Sequence, residues 1–187
     1  MSDTPAHRLT RTLVFVGMMG SGKTAIGRSL AARLGVEFVD SDAEIERAAD
    51  RSIAEIFSRD GEAFFRDRET EVLKRLLDGA PKVVSTGGGA FLSERNREAI
   101  AATGLSIWLD ASLGTLWERV RHKDTRPLLR TENPKATLAT LYQDRTPIYA
   151  LAAQRVKINA NASIEETTDQ VIDLLLERGD ILEAAQA

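Results

Sequence analysis

The sequence predicts a single three-layer α/β domain over residues 1–187, in which helices cover both faces of a parallel sheet. Short apolar runs alternate with longer segments whose apolar residues recur at helical spacing, which is typical of strands joined by crossover helices. The stretch from Gly17 to Thr24 matches G-x-x-x-x-G-K-[ST] without a mismatch. It lies between an apolar run and a helical segment, as phosphate-binding loops do. A length of 187 residues, of which 43% are hydrophobic, suffices for one substantial core.

Five short apolar runs are the predicted strands. The first leads directly into the glycine motif and has the length of a buried parallel strand. The second ends in two carboxylates, and the third is followed at once by three glycines. The predicted strands are residues 13–16, 36–42, 82–86, 105–109 and 155–159.

The segments between and after these strands are predicted helices. In the first, Ile26, Leu30 and Leu34 fall at helical spacing, and Gly35 is a stop signal. Ser52 is placed to cap a later one, and Pro147 should interrupt or kink another. The predicted helices are residues 25–34, 43–49, 53–58, 62–77, 93–103, 113–121, 135–152 and 163–178.

Three segments fall outside this alternation. Residues 1–11 are polar and without periodicity, so we expect a loose N-terminal tail, and we expect residues 179–187 to be frayed. Residues 122–133 are charged and contain Pro127, which predicts a surface loop between helices. Arg126 lies in this loop and could close over a bound nucleotide as part of a mobile lid.

The composition excludes several classes of function. The chain has no cysteine, which rules out disulfides, thiolate metal sites and cysteine nucleophiles. A net charge of −3 and 5% aromatic residues disfavour general nucleic-acid binding. No apolar run approaches the roughly 20 residues of a membrane helix, and the first apolar run enters the glycine motif, which leaves no signal-peptide core. We therefore expect a monomeric cytoplasmic protein without nucleic-acid or membrane partners.

The glycine motif predicts a binding site for a nucleoside triphosphate. Backbone N–H groups of such a loop, together with a helix N terminus, converge on phosphate oxygens. Lys23 would reach the β- and γ-phosphates, and the Thr24 hydroxyl would bind Mg²⁺. The alternative is a glycine-rich turn that binds nothing, which the flanking strand and helix disfavour.

Asp40 and Asp42, at the end of the second predicted strand, are candidate site residues. Ligands of open parallel sheets bind beyond the carboxyl ends of the strands, so both should lie near the glycine motif. Two residues apart on an extended segment, one could order the waters of Mg²⁺ while the other meets an acceptor hydroxyl. Capping of the next helix explains the pair equally well. Asp110, which follows the fourth strand, also fits the pattern of a magnesium-binding carboxylate.

Glycines and arginines supply the remaining candidates. Three consecutive glycines, Gly87, Gly88 and Gly89, would let a small polar ligand approach the backbone closely, although a flexible turn is the alternative. Phosphoryl transfer needs cations around the developing charge. Most surface arginines are simply solvated or pair with a neighbouring acid. The candidate arginines are Arg66, Arg119, Arg126, Arg145 and Arg155.

Six stretches occur in a characteristic order, namely GMMGSGKTAIGRSLAARLG, FVDSDAEIE, FFRDRE, STGGGA, TRPLL and DRTPIY. Together they resemble the shikimate kinase family, and the resemblance extends from about residue 13 to about residue 176. It implies a P-loop kinase fold with a five-stranded parallel sheet in the order 2-3-1-4-5. It also implies transfer of the γ-phosphate of ATP, with Mg²⁺, to the 3-hydroxyl of shikimate in aromatic amino-acid biosynthesis.

The resemblance further implies residue roles. Asp42 would bind the acceptor hydroxyls and act as the base, while Asp40, rather than Asp110, would support the metal through water. The implied catalytic residues are Lys23, Asp42 and Arg126, where Arg126 contacts the transferring phosphate. The implied nucleotide-binding residues are Gly20, Ser21, Gly22, Lys23, Thr24, Ala25, Arg126 and, along the adenine, Arg119 and Arg155. The implied acceptor-binding residues are Asp42, Gly87, Gly88, Gly89 and the two carboxylate-binding arginines, Arg66 and Arg145.

Two other functions compete with this one. Kinases of gluconate or of nucleoside monophosphates share the glycine motif and a lid, but they should not share the combination FVDSD, FFRDRE and TGGG. A nucleotide-binding regulator that has lost catalysis would keep the fold. Such a regulator would not need Asp42 or Arg126.

Overall fold

Five parallel strands form the central sheet of the protein, for which a computed structural model describes residues 7–122 and 127–184. The strands of the described residues are β1 (His7–Leu9), β2 (Thr12–Val16), β3 (Phe38–Asp40), β4 (Val83–Ser85), β5 (Gly104–Asp110), β6 (Gln154–Lys157) and β7 (Leu182–Ala184). The central sheet has the order β3-β4-β2-β5-β6, and all its neighbouring strands are parallel. Counted along the chain, its five strands have the order 2-3-1-4-5, which confirms the predicted fold class.

Helices cover both faces of this sheet. The helices of the described residues are α1 (Lys23–Leu34), α2 (Ser41–Ala49), α3 (Ile53–Leu77), α4 (Glu94–Thr103), α5 (Leu113–Val120), α6 (Pro134–Tyr149) and α7 (Ile164–Arg178). Ser52 begins α3 with a capping box that includes Glu55, and this pairing satisfies backbone N–H groups that the helix itself leaves open. α6 ends two residues after Pro147, earlier than the sequence predicted.

The two faces of β2 bury two separate hydrophobic clusters. Val14 and Val16 face the cluster that includes residues of α2, α3, α4 and α6, whereas Leu13 and Phe15 face the one formed with α1 and α7. This division follows from the alternation of side chains along a strand. Because β2 is apolar on both faces, it occupies the centre of the sheet, and the phosphate-binding motif that follows it starts from a fixed point.

Two local predictions concern α2 and α3, the helices that follow the second strand. The second strand ends at Asp40, and α2 begins at Ser41. The expectation that Asp42 lies on an extended strand is therefore wrong, since Asp42 lies in the first turn of a helix. The predicted break between the helices of residues 53–58 and 62–77 is confirmed, since Gly61 within α3 is non-helical at φ 85°. That angle is in the left-handed region that glycine adopts readily, which accounts for a kink there.

The predicted terminal tails are shorter than expected. β1 pairs antiparallel with β7, and Arg8 forms an ion pair of 2.7 Å with Glu183. Leu9 and Ile181 are buried in the cluster that also contains α1 and α7 residues. The expectation of loose residues 7–11 and frayed residues 179–184 is therefore wrong, because these apolar side chains gain free energy by burial. The rest of both predicted tails lies outside the described residues.

The predicted lid is described only in part. Residues 123–126, and with them Arg126, lie outside the described residues. Pro127–Leu129 form a short 3₁₀ helix, and Leu129 is buried in the hydrophobic cluster. Among the described helices, none has both the length and the apolar composition needed to cross a membrane.

Candidate active site

A cavity of about 560 Å³ opens where the glycine motif meets the ends of β3 and β4. We call it the nucleotide cavity, and we call residues 17–24 the phosphate loop. The cavity combines residues of the phosphate loop and α1 with polar residues that follow the strands. Its lining includes Gly20, Gly22, Lys23, Thr24, Ala25, Asp40, Asp42, Ser85, Thr86, Gly87, Gly88 and Arg119.

Three glycines determine the shape of the phosphate loop. Gly17, Gly20 and Gly22 have φ angles of 137°, 81° and 100°, which L-residues with a Cβ atom rarely adopt. A Cβ atom on Gly20 would also lie only 2.8 Å from Val120 Cγ1. α1 begins directly after Gly22 without a side-chain cap, so its first backbone N–H groups can bind phosphate oxygens.

Lys23 lies inside the loop that precedes it. Its side chain is only 9% exposed, and its Nζ donates hydrogen bonds to the carbonyls of Gly17 at 2.9 Å and Met18 at 3.0 Å. An ammonium group has three donors, and these two bonds hold the charge beneath the phosphate loop. The predicted position of Lys23 at the nucleotide cavity therefore agrees with the structure.

Three oxygen atoms from three elements meet beside the phosphate loop. Thr24 Oγ1 lies 3.4 Å from Asp40 Oδ2 and 3.4 Å from Ser85 Oγ. Asp40 Oδ1 also caps α2 by accepting a hydrogen bond of 3.0 Å from the Asp42 N–H. Asp40 therefore caps α2 and also lies at the site. Sequence reasoning missed Ser85, although its place at the end of the third strand was a usable signal.

Asp42 is a half-buried carboxylate that lines the nucleotide cavity. Burial, followed by the charge of Asp40, raises the pKa of the Asp42 carboxyl to about 6, while the charges of Lys23 and Arg66 act in the opposite direction. Asp42 is a carboxylate that can exchange a proton near neutral pH.

The three glycines after β4 form the glycine loop, residues 87–89, and each packs against a different predicted acceptor-binding residue. A Cβ atom on Gly87 would lie 2.7 Å from Asp42 Oδ1. On Gly88 it would lie 3.3 Å from Arg145 Nη1, and on Gly89 2.6 Å from Arg66 Nη2. Side chains from α2, α6 and α3 therefore converge on one stretch of bare backbone, which a larger residue at these positions would obstruct.

Arg66 is also paired with an acid of its own helix. Its Nη1 donates a hydrogen bond of 2.9 Å to Glu69 Oε2, and Glu69 is only 2% exposed. Burial raises the pKa of Glu69, and Arg66 partly offsets that effect. Pairing with a neighbouring acid, the alternative for such an arginine, is therefore confirmed for Arg66, and the i, i+3 spacing of Glu69 within FFRDRE accounts for it. Arg68 instead pairs with Glu71 at 2.9 Å.

Arg145 has a buried neighbour that the sequence did not indicate. Tyr149, one helical turn further along α6, is 0% exposed and donates a hydrogen bond of 2.5 Å to the Gly88 carbonyl. Burial raises the pKa of the Tyr149 hydroxyl, and Arg145 acts in the opposite direction. At neutral pH the phenol is therefore a neutral donor.

The two arginines that were expected along the adenine have different positions. Arg119 lines the nucleotide cavity and donates to the Gly20 carbonyl at 3.1 Å. Arg155 is not among the residues that line the cavity, because Asp110 Oδ2 binds its Nε at 2.9 Å and Trp108 lies beneath its guanidinium. A contact between Arg155 and adenine stays a prediction. Asp110 is occupied by this ion pair, which favours Asp40 as the carboxylate near Thr24.

The phosphate loop at the N terminus of α1 and the parallel sheet of order 2-3-1-4-5 define a P-loop kinase. The model of the shikimate kinase family matches residues 19–176. A shikimate kinase of Ruegeria pomeroyi is 61% identical over 97% of this chain and 93% of its own length. One of Cereibacter sphaeroides is 56% identical over 94% of this chain and 88% of its own length. The chain belongs to the shikimate kinase family.

Structural comparison agrees with this assignment. The structure of a shikimate kinase from Acinetobacter baumannii in complex with shikimate is similar to this one, with a TM-score of 0.84. The two sequences are 37% identical, and the match covers 90% of this chain and 94% of the other.

Proposed function

We propose that this chain transfers the γ-phosphate of ATP to the 3-hydroxyl of shikimate, which yields shikimate 3-phosphate and ADP in chorismate and aromatic amino-acid biosynthesis. The observation that carries the proposal is the convergence of Asp42, Arg66 and Arg145 on the glycine loop beside the phosphate loop. The two arginines can bind the carboxylate of the acceptor. Asp42 and the bare backbone of the glycine loop can bind its hydroxyls. Membership of the shikimate kinase family supports the same acceptor.

The phosphate loop would bind the nucleotide through its backbone. The N–H groups at the start of α1 would donate hydrogen bonds to the phosphate oxygens, and Lys23 would add a positive charge beside the β- and γ-phosphates. Arg119, bound to the Gly20 carbonyl, lies at the same cavity. From the sequence, Arg126 and the lid of residues 122–133 would close over the transferring phosphate and exclude water.

Mg²⁺ fits the oxygen atoms beside the phosphate loop. A threonine hydroxyl and a carboxylate are the hard oxygen ligands that this ion prefers, usually with several waters retained. Thr24 would bind the ion directly and Asp40 would hold one of its waters, since the two side chains are in contact at the cavity wall. When bound, Mg²⁺ neutralises the charge that develops on the phosphates.

Asp42 would be the group that accepts the proton. The 3-hydroxyl oxygen forms a bond to the γ-phosphorus, and the bond from that phosphorus to the β–γ bridging oxygen breaks. The hydroxyl proton passes to the Asp42 carboxylate. With a pKa of about 6, this carboxylate is ionised at neutral pH and still basic enough to take a proton, which is the compromise that general bases require.

A coupled assay of ADP release tests the proposal. Mg-ATP is offered with shikimate, with gluconate and with nucleoside monophosphates in separate reactions, and the phosphorylated product is identified by mass. ADP should appear only in the reaction in which shikimate is the acceptor. ADP release with gluconate but not shikimate would identify another small-molecule kinase, and no release with any acceptor would support a regulator without catalysis.

A further inference from the structure

Tyr149 joins two parts of the proposed acceptor site that lie far apart in sequence. It is the last residue of α6, and its hydroxyl donates a hydrogen bond of 2.5 Å to the Gly88 carbonyl of the glycine loop. A hydroxyl has a single proton, so this bond fixes the direction of the phenol group. Its lone pairs then remain for a cation.

Arg145 is that cation. Arg145 and Tyr149 are four residues apart on α6, so they lie on the same helix face. The position that a Cβ atom on Gly88 would take lies 3.3 Å from Arg145 Nη1 and 3.8 Å from the Tyr149 hydroxyl. The charge of Arg145 also lowers the pKa of the Tyr149 hydroxyl against the larger effect of burial, as a nearby cation does. Guanidinium and phenol thus lie beside the same glycine of the loop, and the phenol is bonded to the carbonyl of that glycine.

The tyrosine ring is held firmly enough to transmit this geometry. Tyr149 is 0% exposed and belongs to the hydrophobic cluster on one face of the sheet. Its ring stacks with Trp108 of β5 at 6.4 Å between centroids. A side chain that is close-packed on all sides has little freedom to rotate, so the hydroxyl sets the distance between α6 and the glycine loop.

Ala90, the residue after the glycine loop, is connected to α3 through Asn96 of α4. Thr70 Oγ1 donates a hydrogen bond of 2.7 Å to Asn96 Oδ1, and Asn96 Nδ2 donates one of 2.8 Å to the Ala90 carbonyl. Both side chains are buried. Thr70 lies four residues after Arg66, just as Tyr149 lies four residues after Arg145. Each of the two arginines therefore has a residue one helical turn later that is bonded either to the glycine loop or, through Asn96, to the residue after it.

We propose that Tyr149 is a positioning residue, which sets Arg145 against Gly88 so that the guanidinium can bind the acceptor carboxylate. The inference rests on the proposed function, because it assigns a role within the same acceptor site. Tyr149 itself does not take part in phosphoryl transfer. Its effect should appear in acceptor binding, and it should leave nucleotide binding unchanged.

The test is the Tyr149→Phe variant, which keeps the packed ring and removes only the hydroxyl. KM for shikimate should rise about five- to tenfold, the effect of one lost hydrogen bond, while kcat and KM for ATP stay within about twofold. Tyr142→Phe is the matched control, because Tyr142 is a partly buried tyrosine of the same helix. It should leave all three constants unchanged.

A double-mutant cycle separates positioning from general stability. If Tyr149 acts through Arg145, then Tyr149→Phe should add less than about twofold to the KM for shikimate of the Arg145→Gln variant. An equal fold-change in both backgrounds would overturn the proposal. So would a lowered melting temperature in Tyr149→Phe with an unchanged KM for shikimate. The proposed function fails separately, if the wild-type protein releases no ADP with shikimate.

Discussion

The two halves of the site are built in opposite ways. The phosphate loop consists of eight consecutive residues, and its shape depends on three glycines with left-handed φ angles. The acceptor half draws Asp42 from α2, Arg66 from α3, the glycine loop from the end of β4 and Arg145 from α6. One half depends on local backbone geometry, whereas the other depends on how four elements pack.

This difference determines where charge is compensated. Lys23 donates hydrogen bonds to two carbonyls of its own loop, so these contacts of the nucleotide half are local. In the acceptor half, Arg66 is paired with Glu69 and the pKa of Asp42 responds to Lys23 and Arg66. Substitutions in the nucleotide half should therefore affect one step, while those in the acceptor half should be coupled to one another.

Lys23→Ala should have the largest effect. The lost cation faces phosphates on which charge develops during transfer, so kcat should fall by roughly 10³-fold, in the range for loss of a charge-stabilising donor. Circular dichroism should be unchanged, because the two carbonyls that Lys23 binds belong to no helix or strand. A kcat equal to that of the wild type would show that the phosphate loop has no catalytic role.

Asp42→Asn should have the second largest effect, with kcat lowered about 10²-fold. The amide keeps the size of the side chain but cannot accept a proton, and the lower end of the usual range fits a loose phosphoryl transition state. Asp110→Asn is the control, since Asp110 is paired with Arg155. Greater damage from Asp110→Asn would move the metal-supporting role to Asp110.

The pH dependence of the Asp42 carboxylate gives a smaller and independent effect. With a pKa of about 6, kcat/KM for shikimate should fall about tenfold per pH unit below that value and be flat above it. The fold raises this pKa from the ordinary aspartate value of 3.8 and so disfavours the ionised form. The resulting destabilisation is absent below pH 3.8 and complete above about pH 6. Asp42→Asn should thus raise the melting temperature at neutral pH but not near pH 4. A lower melting temperature of Asp42→Asn at neutral pH would contradict this prediction.

The smallest expected effect is a difference in KM for ATP between variants of Arg119 and Arg155, the two candidate adenine arginines. Arg119→Ala should raise KM for ATP about three- to tenfold, because Arg119 lines the cavity and binds the Gly20 carbonyl. Arg155→Ala should change it less than about twofold, since its side chain forms a partly exposed ion pair with Asp110. Steady-state kinetics with varied ATP measures both, and the reverse order would place Arg155 at the nucleotide.

Sequence reasoning succeeded where structure is local. The phosphate loop, the strand before it and the helix after it follow from residues within about 25 positions, and the order of the sheet came with the family resemblance. Capping by Ser52 was also predicted correctly, because the capping contact involves a residue only three positions away.

It failed where a role depends on tertiary contacts. Nothing near Tyr149 in sequence indicates that its hydroxyl binds Gly88, 61 residues away. The pairing of Arg8 with Glu183 could not be predicted from the local sequence either, since the two residues are 175 positions apart. Asp42 was placed on a strand because the apolar run before it favours one, yet the side chain of Asp40 caps a helix that begins at Ser41. Only the packed chain brings such partners together.

The central claim is that Arg66 and Arg145 bind the acceptor carboxylate across the glycine loop. Calorimetric titration with shikimate and with its neutral carboxamide tests it most directly. The wild-type protein should bind shikimate about ten- to a hundredfold more tightly, as loss of charge-assisted hydrogen bonds implies. In Arg66→Gln and Arg145→Gln this preference should shrink to about threefold or less, with Mg-ADP affinity unchanged. A preference that persists in both variants, or a loss of Mg-ADP binding instead, would contradict the claim.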